Sequence, residues 1–136
     1  MYASSRQSAE QYRRVGASSS ILEADPRKLI QLLLEGASSR LRLAMAHLER
    51  GDHAAKGKAI GRTCDIIGHL AGSLDHQRGG EIADNLSALY DYILLRITQG
   101  NLENDRQALQ EALDLLGQIE TAWAAMPAGN SQASNA

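Results

Sequence analysis

Large apolar residues recur at intervals of three and four along residues 25–126, in four segments separated by short polar stretches. This spacing places them on one face of an α-helix, so each segment predicts an amphipathic helix. Four such helices with short connections predict an all-α fold, an antiparallel up-down-up-down four-helix bundle. Asp25 with Pro26 starts the first helix, Gly51 ends it, and Asp52 starts the second. A turn over His76–Gly80 precedes a third helix that starts near Glu81 and ends at Gly100 with Asn101. A capping box formed by Asn104 and Gln107 starts the fourth helix.

The apolar stripe of each helix predicts which side chains form the core of the bundle. The first two stripes are Leu29, Ile30, Leu33, Ala37, Leu41, Ala44 and Leu48, and then Ala59, Ile60, Thr63, Ile67, Leu70 and Leu74. The last two are Ile82, Leu86, Leu89, Tyr90, Ile93 and Ile97, and then Leu109, Ala112, Leu113, Leu116, Ile119 and Trp123.

The two ends of the chain have a different composition from the segments between them. Residues 1–24 are rich in serine and carry few large apolar side chains, which predicts a mobile N-terminal arm with at most a short helix over 8–14. Residues 127–136 are polar and small after Pro127, which predicts a disordered tail. The expected organisation is therefore an arm over 1–24, a bundle over 25–126 and a tail over 127–136.

The charge is divided unevenly along the chain. Residues 1–62 hold 11 Lys and Arg against 6 Asp and Glu, whereas residues 63–136 hold 3 against 10. Complementary halves suit an antiparallel bundle, and the same asymmetry could also attract a charged partner. A net charge of −2 with one modestly basic half argues against a nucleic-acid-binding protein.

Hydropathy and cysteine content indicate a cellular compartment. No stretch approaches the roughly 20 apolar residues of a membrane span, and the N-terminus lacks the apolar core of a signal peptide. Cys64 is the only cysteine, so an intramolecular disulfide is impossible and a zinc–thiolate cage is not expected. We expect a reduced, cytoplasmic protein that does not insert into membranes.

Six large apolar residues fall outside the predicted stripes, and every helix carries at least one. Each could border the core or be one of the single exposed apolar side chains found on all proteins. Their presence on all four helices favours an external groove that binds a partner helix, although a homodimer interface would use the same surface. They are Leu32, Leu43, Ile66, Tyr92, Leu95 and Leu115.

The second helix also carries four glycines on one face. Gly57, Gly61, Gly68 and Gly72 are spaced by four, seven and four residues, which aligns them well away from the apolar stripe. Each glycine inside a helix costs about 1 kcal/mol relative to alanine. A strip without side chains lets another backbone approach closely, so we expect a foreign helix to dock there. The alternative is a loosely formed helix whose glycines are incidental.

The residues that catalysis would require are missing from the sequence. No nucleophile has triad partners, no glycine-rich phosphate loop is present, and there are none of the Glu-x-x-His pairs of di-iron bundles. Asp65 and His69 share a helix face, but two ligands without a third are a weak signal for a metal. We therefore predict no enzymatic activity, no cofactor and no metal site.

Several motifs together resemble the flagellin-specific export chaperones, the FliS family. They run from Met1–Tyr2 and Tyr12 through Asp25–Ile30, Leu33, Gly36 and Ala37 to Gly79–Leu86, Leu89–Tyr92, Asn101–Leu102, Asn104–Asp105 and Trp123. The resemblance covers nearly the whole chain, and the strings GGEIADNL and LYDY in succession are its most specific part. Leu34 and Glu35 depart from it, because the family usually has an aromatic residue and then aspartate before the Gly-Ala of the first helix.

The resemblance implies a non-catalytic export chaperone. Such proteins bind the disordered C-terminal segment of flagellin in external grooves, prevent its premature polymerisation and deliver it to the flagellar type III export gate. Tyr12 matches the arm tyrosine of the family, so we expect Tyr12, Val15, Ile21 and Leu22 to cover part of the client groove when it is empty. A general helical adaptor or regulator, acting in flagellar export or as an anti-sigma factor, is the alternative.

Overall fold

The computed structural model describes residues 25–127 and contains four helices in that range: α1 (Pro26–Glu49), α2 (His53–Gly72), α3 (His76–Glu103) and α4 (Arg106–Ala125). Connections of two or three residues make successive helices antiparallel. α1 packs on α2, α2 on α3, α3 on α4 and α4 on α1, which closes the bundle. The predicted all-α four-helix bundle is confirmed. The expectations for the arm, including Tyr12, Val15, Ile21 and Leu22, and for 128–136 lie outside the described residues.

An aspartate caps the N-terminus of each of these helices. The carboxylates of Asp25, Asp52, Asp75 and Asp105 accept hydrogen bonds from backbone N–H groups in the first turn that follows, at 3.0–3.4 Å. These N–H groups have no partner within the helix, so each cap stabilises the bundle by about 1 kcal/mol. The first two caps were predicted.

The cap predicted for the fourth helix is wrong by one residue. Asn104 does not cap α4; it adopts the left-handed conformation, with φ 52°, and ends α3. Asp105 accepts from the backbone N–H groups of Gln107 and Ala108. The two residues thus divide the turn, because asparagine tolerates positive φ at a helix C-terminus and aspartate is a strong N-cap.

The predicted boundaries of the third helix also need correction. The segment predicted to be a turn forms one helical turn from His76, and the chain then breaks at Gly80, where φ is 51° and ψ is −125°. Gly100 does not end the helix but is buried in its last turns. A Cβ at Gly100 would lie 2.6 Å from Leu109 Cδ2, so glycine permits the close approach of α3 and α4 there.

Most predicted stripe residues lie in the core, but two of them are exposed and one residue outside the stripes is buried. Leu34 is completely buried although it was not assigned to the stripe, whereas Leu29 is 36% exposed. Ile82 was predicted to be in the core but is 64% exposed. In a closed bundle each helix contacts two neighbours, so the buried arc is centred between them rather than on the most apolar stripe.

Buried polar side chains connect different helices. Ser38 Oγ on α1 donates to Glu120 Oε1 on α4 at 2.7 Å. Lys56, which is 4% exposed, donates from Nζ to the Asn101 carbonyl oxygen at 3.0 Å and to Asn104 Oδ1. The Lys56 ammonium therefore joins the start of α2 to the end of α3 and meets carbonyl oxygens at a helix C-terminus, where a positive charge is favoured.

Candidate functional site: an apolar groove between α3 and α4

An open groove of about 370 Å³ runs between the N-terminal part of α3 and the C-terminal part of α4. Of the side chains that line it, only two are polar and none carries a charge. Its apolar lining includes the 64% exposed Ile82. The residues are Ile82, Asn85, Leu86 and Leu89 from α3, Gln118, Ile119, Ala122 and Trp123 from α4, and Met126 beyond it.

The groove exists because opposite walls have side chains of different size. On α3, Ile82, Leu86 and Leu89 follow one another at helical spacing and face α4. The large α4 residues of the lining, Ile119 and Trp123, are buried in the core, so at the surface α4 offers Gln118 and Ala122, and alanine is too short to cover the α3 wall. Leu86 and Leu89 consequently remain only half-buried, packed against the edge of the core.

Trp123 and Met126 close the end of the groove that lies near the start of α1. Trp123 is 4% exposed, and its indole Nε1 donates to the carbonyl oxygen of Arg27 at 3.0 Å. The Arg27 side chain in turn reaches carbonyl oxygens at the end of α4. The described chain begins at Asp25, so residues 1–24 join the bundle beside this end of the groove.

Tyr92 and Leu115, two of the six apolar residues outside the predicted stripes, lie beyond the groove on the α3–α4 seam. By the seam we mean the line along which α3 and α4 meet. Tyr92 follows Leu89 by three positions and Leu115 precedes Gln118 by three, so helical spacing extends both walls. Tyr92 is 42% exposed, and its O–H donates to Glu111 Oε1 on α4 at 2.9 Å. Leu115 is half-buried and packs against the core.

At this end of the seam, the Glu111 carboxylate on α4 accepts hydrogen bonds from two side chains of α3. Its Oε1 accepts from the Tyr92 hydroxyl and also from Arg96 Nε at 2.6 Å. The hydrogen bond to the Glu111 carboxylate raises the pKa of Tyr92, because ionisation would remove the donor and place two negative charges together. Burial alone raises the pKa of the neighbouring Tyr90 to about 12.

The other off-stripe residues lie elsewhere on the bundle. A Cβ at Gly36 would lie 3.7 Å from Ile66 Cδ1, which shows that the half-buried Ile66 points towards α1. Leu32 and Leu43, each 40% exposed, share the face of α1 that contains Gly36. Leu95 is 53% exposed on α3. The structure therefore does not bring the six residues together in a single site.

The glycines of α2 form an open strip. A Cβ at Gly57, Gly61, Gly68 or Gly72 would meet no atom within 4 Å among the described residues. The last three glycines are exposed and Gly57 is half-buried. None of them is needed for packing inside this part of the bundle, so the space beside them is available to another molecule. Their role as a docking strip remains a prediction.

A second, more polar trough of about 780 Å³ lies on the other side of α4. Arg42 of α1 and Asp114 of α4 contribute its charged side chains, and Gly117 leaves open space on the α4 surface. Gln118 and Ala122 line both depressions. The solvent-facing side of α4 is thus a low ridge between the two, which an extended segment could cross.

The chemistry available in this region is binding by burial of apolar surface. The groove itself contains no charged group that could act as an acid, base or nucleophile. Within residues 25–127, no three His, Cys, Asp or Glu side chains are grouped so as to hold a metal ion. None of the four described helices is long and apolar enough to cross a membrane.

Sequence reasoning missed the groove because it assigned the α3 wall to the core. Ile82, Leu86 and Leu89 have the spacing of a buried stripe, and helical periodicity does not reveal what lies opposite. A signal was present in α4, where Gln118 and Ala122 fall on the face adjoining the predicted core. Comparing side-chain sizes at the paired ends of α3 and α4 would have indicated an uncovered apolar wall.

Comparisons with known proteins identify a matching family and several relatives. The family model described as "Flagellar protein FliS" matches residues 8–130. The flagellar secretion chaperone FliS of Salmonella typhimurium is 46% identical over 113 residues, which cover 82% of this chain and 84% of that protein. The Vibrio cholerae FliS is 37% identical over 122 residues, 90% of each chain. The flagellar secretion chaperone FliSB of Pseudomonas aeruginosa is 40% identical over 114 residues, 84% of this chain and 90% of that protein.

Proposed function

This chain belongs to the FliS family of flagellar secretion chaperones, and we propose on that premise that it acts in the cytoplasm on the C-terminal segment of flagellin. In this proposal the chaperone covers apolar surface that would otherwise drive flagellin subunits to polymerise, and it delivers the subunit to the flagellar export gate. A protein of this family is not an enzyme, so binding and release supply the whole activity.

The observation that carries the proposal is the uncharged groove between α3 and α4. An amphipathic helix that docks with its apolar face in such a groove removes both surfaces from water, and this is the usual way helical segments are recognised. The exposed Ile82 and the half-buried Leu86 and Leu89 provide the apolar surface on the chaperone. We propose that Tyr92 and Leu115 extend the contact along the seam.

A long client segment would contact more than one surface. Folding on binding orders the segment at a cost in entropy, so a large buried area is required to offset it. We propose that the α1–α2 side, through Leu32, Leu43 and Ile66, and the exposed Leu95 on α3 supply further contacts. The glycine strip, Gly57, Gly61, Gly68 and Gly72, would admit a client helix at close range.

The N-terminal arm is proposed to occupy the empty groove. Residues 1–24 join α1 at Asp25, close to the end of the groove closed by Trp123 and Met126. An arm attached there needs little chain to reach the groove, and Tyr12, Val15, Ile21 and Leu22 are its large apolar side chains that could fill it. The client would then displace the arm on binding.

The test is isothermal titration with roughly the last 60 residues of flagellin from the same organism, a length suited to wrapping a large surface. We expect a complex of about 1:1 with a strongly negative heat-capacity change, which is typical of apolar burial. A homodimer that uses the same surface would appear as a stoichiometry of one client per two chains, or as competition between self-association and client binding.

Two matched variants locate the contact. Ile82→Asp places a charge in the groove, whereas Leu102→Asp changes a residue on the same helix that is 77% exposed and outside the groove. We expect Ile82→Asp to weaken binding about tenfold or more, because the carboxylate would lose water on burial, and Leu102→Asp to bind like the wild type. Equal affinities for the two variants would contradict the assignment of the groove. No heat with the unmodified protein would favour the general adaptor instead.

A further inference from the structure

Arg27 and Trp123 join the start of α1 to the end of α4 through hydrogen bonds in both directions. The Trp123 indole Nε1 donates to the Arg27 carbonyl oxygen at 3.0 Å, across 96 positions of the sequence. In return, Arg27 Nη2 donates to the carbonyl oxygens of Trp123 at 3.2 Å and of Ala124 at 2.9 Å, and contacts that of Met126. We call this set of contacts the Arg27–Trp123 clasp.

The clasp supplies what the end of α4 lacks. The last carbonyl groups of a helix have no partner within it and form the negative end of its dipole. A guanidinium suits this position because it is permanently charged and presents several N–H groups in one plane. Arg27 thereby holds the backbone from Trp123 to Met126, while the Trp123 indole donates to the backbone of α1.

The residues held by the clasp are also residues of the groove. Trp123 and Met126 line the end of the apolar groove between α3 and α4. Arg27 itself does not line the groove, and its contacts are with the backbone of the groove wall rather than with the space inside. Only two positions separate Arg27 from Asp25, where the N-terminal segment joins the bundle.

Part of the hydrogen-bonding capacity of the clasp is unused. Arg27 Nε is buried and lacks an acceptor among the described residues, where it is the only buried side-chain nitrogen or oxygen in that state. A buried donor without an acceptor carries a desolvation cost, so the contacts that Nη2 makes are what hold this side chain at the end of α4.

We propose that Arg27 is a positioning residue for the α3–α4 groove: it fixes the Trp123 indole and the end of α4 as the end wall of the groove and couples that wall to the base of the N-terminal segment. The inference rests on the proposed function in one respect, namely that the groove receives the client. The wall is held in the free protein as well, so the structural part can be tested without a client.

The first test is the fluorescence of the full-length free protein, in which Trp123 is the only tryptophan. We expect Arg27→Gln to shift the emission to longer wavelength and to increase quenching by acrylamide, because the indole loses its fixed surroundings. Arg62→Gln is the control, since Arg62 is an exposed arginine on α2 that does not line the groove. Emission and quenching in Arg27→Gln equal to those of Arg62→Gln would overturn the proposal.

The second test measures the affinity of the same variants for the flagellin C-terminal segment. We expect Arg27→Gln to weaken binding about tenfold, because the end wall of the groove is no longer fixed before the client docks, and Arg62→Gln to leave it unchanged. Altered emission with unchanged affinity would overturn the positioning role and leave Arg27 as a helix cap. If the unmodified protein does not bind the segment, the proposed function fails, while the fluorescence test still decides whether the clasp fixes the wall.

A milder variant protects the experiment against misfolding. Arg27→Lys keeps the positive charge and most of the side-chain stem but replaces the planar guanidinium with a compact ammonium on a shorter side chain. We expect its emission, quenching and affinity to fall between those of the wild type and Arg27→Gln. If circular dichroism shows that Arg27→Gln is unfolded, Arg27→Lys against Arg62→Gln carries the same comparison, and properties equal to the control would again overturn the proposal.

Discussion

The Tyr92 hydroxyl is a titratable group on the proposed binding seam between α3 and α4. It donates to Glu111 Oε1, which also accepts from Arg96 Nε, and the first of these bonds is the main cause of its raised pKa. The exposed ring is thereby held at the surface by α4, in a fixed position beside the wall of the groove. Binding and titration of Tyr92 should consequently be linked.

The first prediction concerns this tyrosine. Its pKa in the folded protein lies above the ordinary value, so its contribution to the free energy of unfolding is complete below pH of about 10 and is lost as the pH rises through the folded pKa. Glu111→Gln removes the negative charge and should lower the pKa of Tyr92. The measurement is tyrosinate absorbance in an alkaline titration.

Two comparisons isolate the signal from the other tyrosines. Subtracting the titration of Tyr92→Phe leaves the curve of Tyr92 alone, and Tyr90 ionises only near pH 12 because it is buried. An unchanged Tyr92 curve in Glu111→Gln would mean that the hydrogen bond seen between α3 and α4 does not control this group.

Close contact between α3 and α4 depends on one glycine. Gly100 lies in the last turns of α3, and a Cβ there would come within 2.7 Å of Leu109 Cγ and 3.1 Å of the Asp105 carbonyl oxygen. Neither atom is the free end of a flexible side chain, so the helices would have to separate. This is a tertiary requirement for glycine, in contrast to the open positions of the α2 strip.

We therefore expect opposite effects from the same substitution at two helical glycines. Gly100→Ala should lower the free energy of unfolding by about 1–3 kcal/mol through overpacking, reduced by the better helix propensity of alanine. Gly61→Ala, where a Cβ meets open space, should raise it by up to about 1 kcal/mol. Urea denaturation of both variants checks this. Stabilisation by Gly100→Ala would show that the two helices can move apart at little cost.

The boundaries of the helices illustrate how far local signals reach. Capping signals and helical spacing predicted four helices, with Asp25 and Asp52 as the caps of the first two, because both signals act within a few residues of the chain. The third helix begins at His76 rather than near Glu81. The errors occur where two signals compete in one short turn, as at Asn104 and Asp105, or where a glycine has a packing role, as at Gly100. Propensity cannot separate a glycine that ends a helix from one that admits a neighbour.

At the scale of the whole molecule, the groove and the N-terminal segment are expected to work together. The groove exposes apolar surface at one end of the bundle, and the segment joins the bundle near that end. An uncovered groove would attract other apolar surfaces in the absence of the client.

Deletion of residues 1–20 should therefore increase the binding of an apolar-surface dye such as ANS and promote aggregation, if the arm covers the groove. Deletion of residues 128–136 is the control, and we expect it to change neither property. Added flagellin segment should reverse the dye binding, because it fills the same surface. A truncated protein that stays monomeric, with dye binding and client affinity like the wild type, would contradict the proposed role of the arm.

Sequence alone determined the number of helices, their approximate ends, most of the core and the family. Periodicity and capping are local properties of the chain, so spacing was sufficient to establish them. Tertiary structure decided which apolar residues are covered: Leu34 is buried and Ile82 exposed, although both have helical spacing that suits a core. The groove and the Arg27–Trp123 clasp depend on how α1, α3 and α4 pack together. The exposure of a residue is controlled by the size and orientation of side chains on the neighbouring helices, and the residue pattern within one helix contains no information about those side chains.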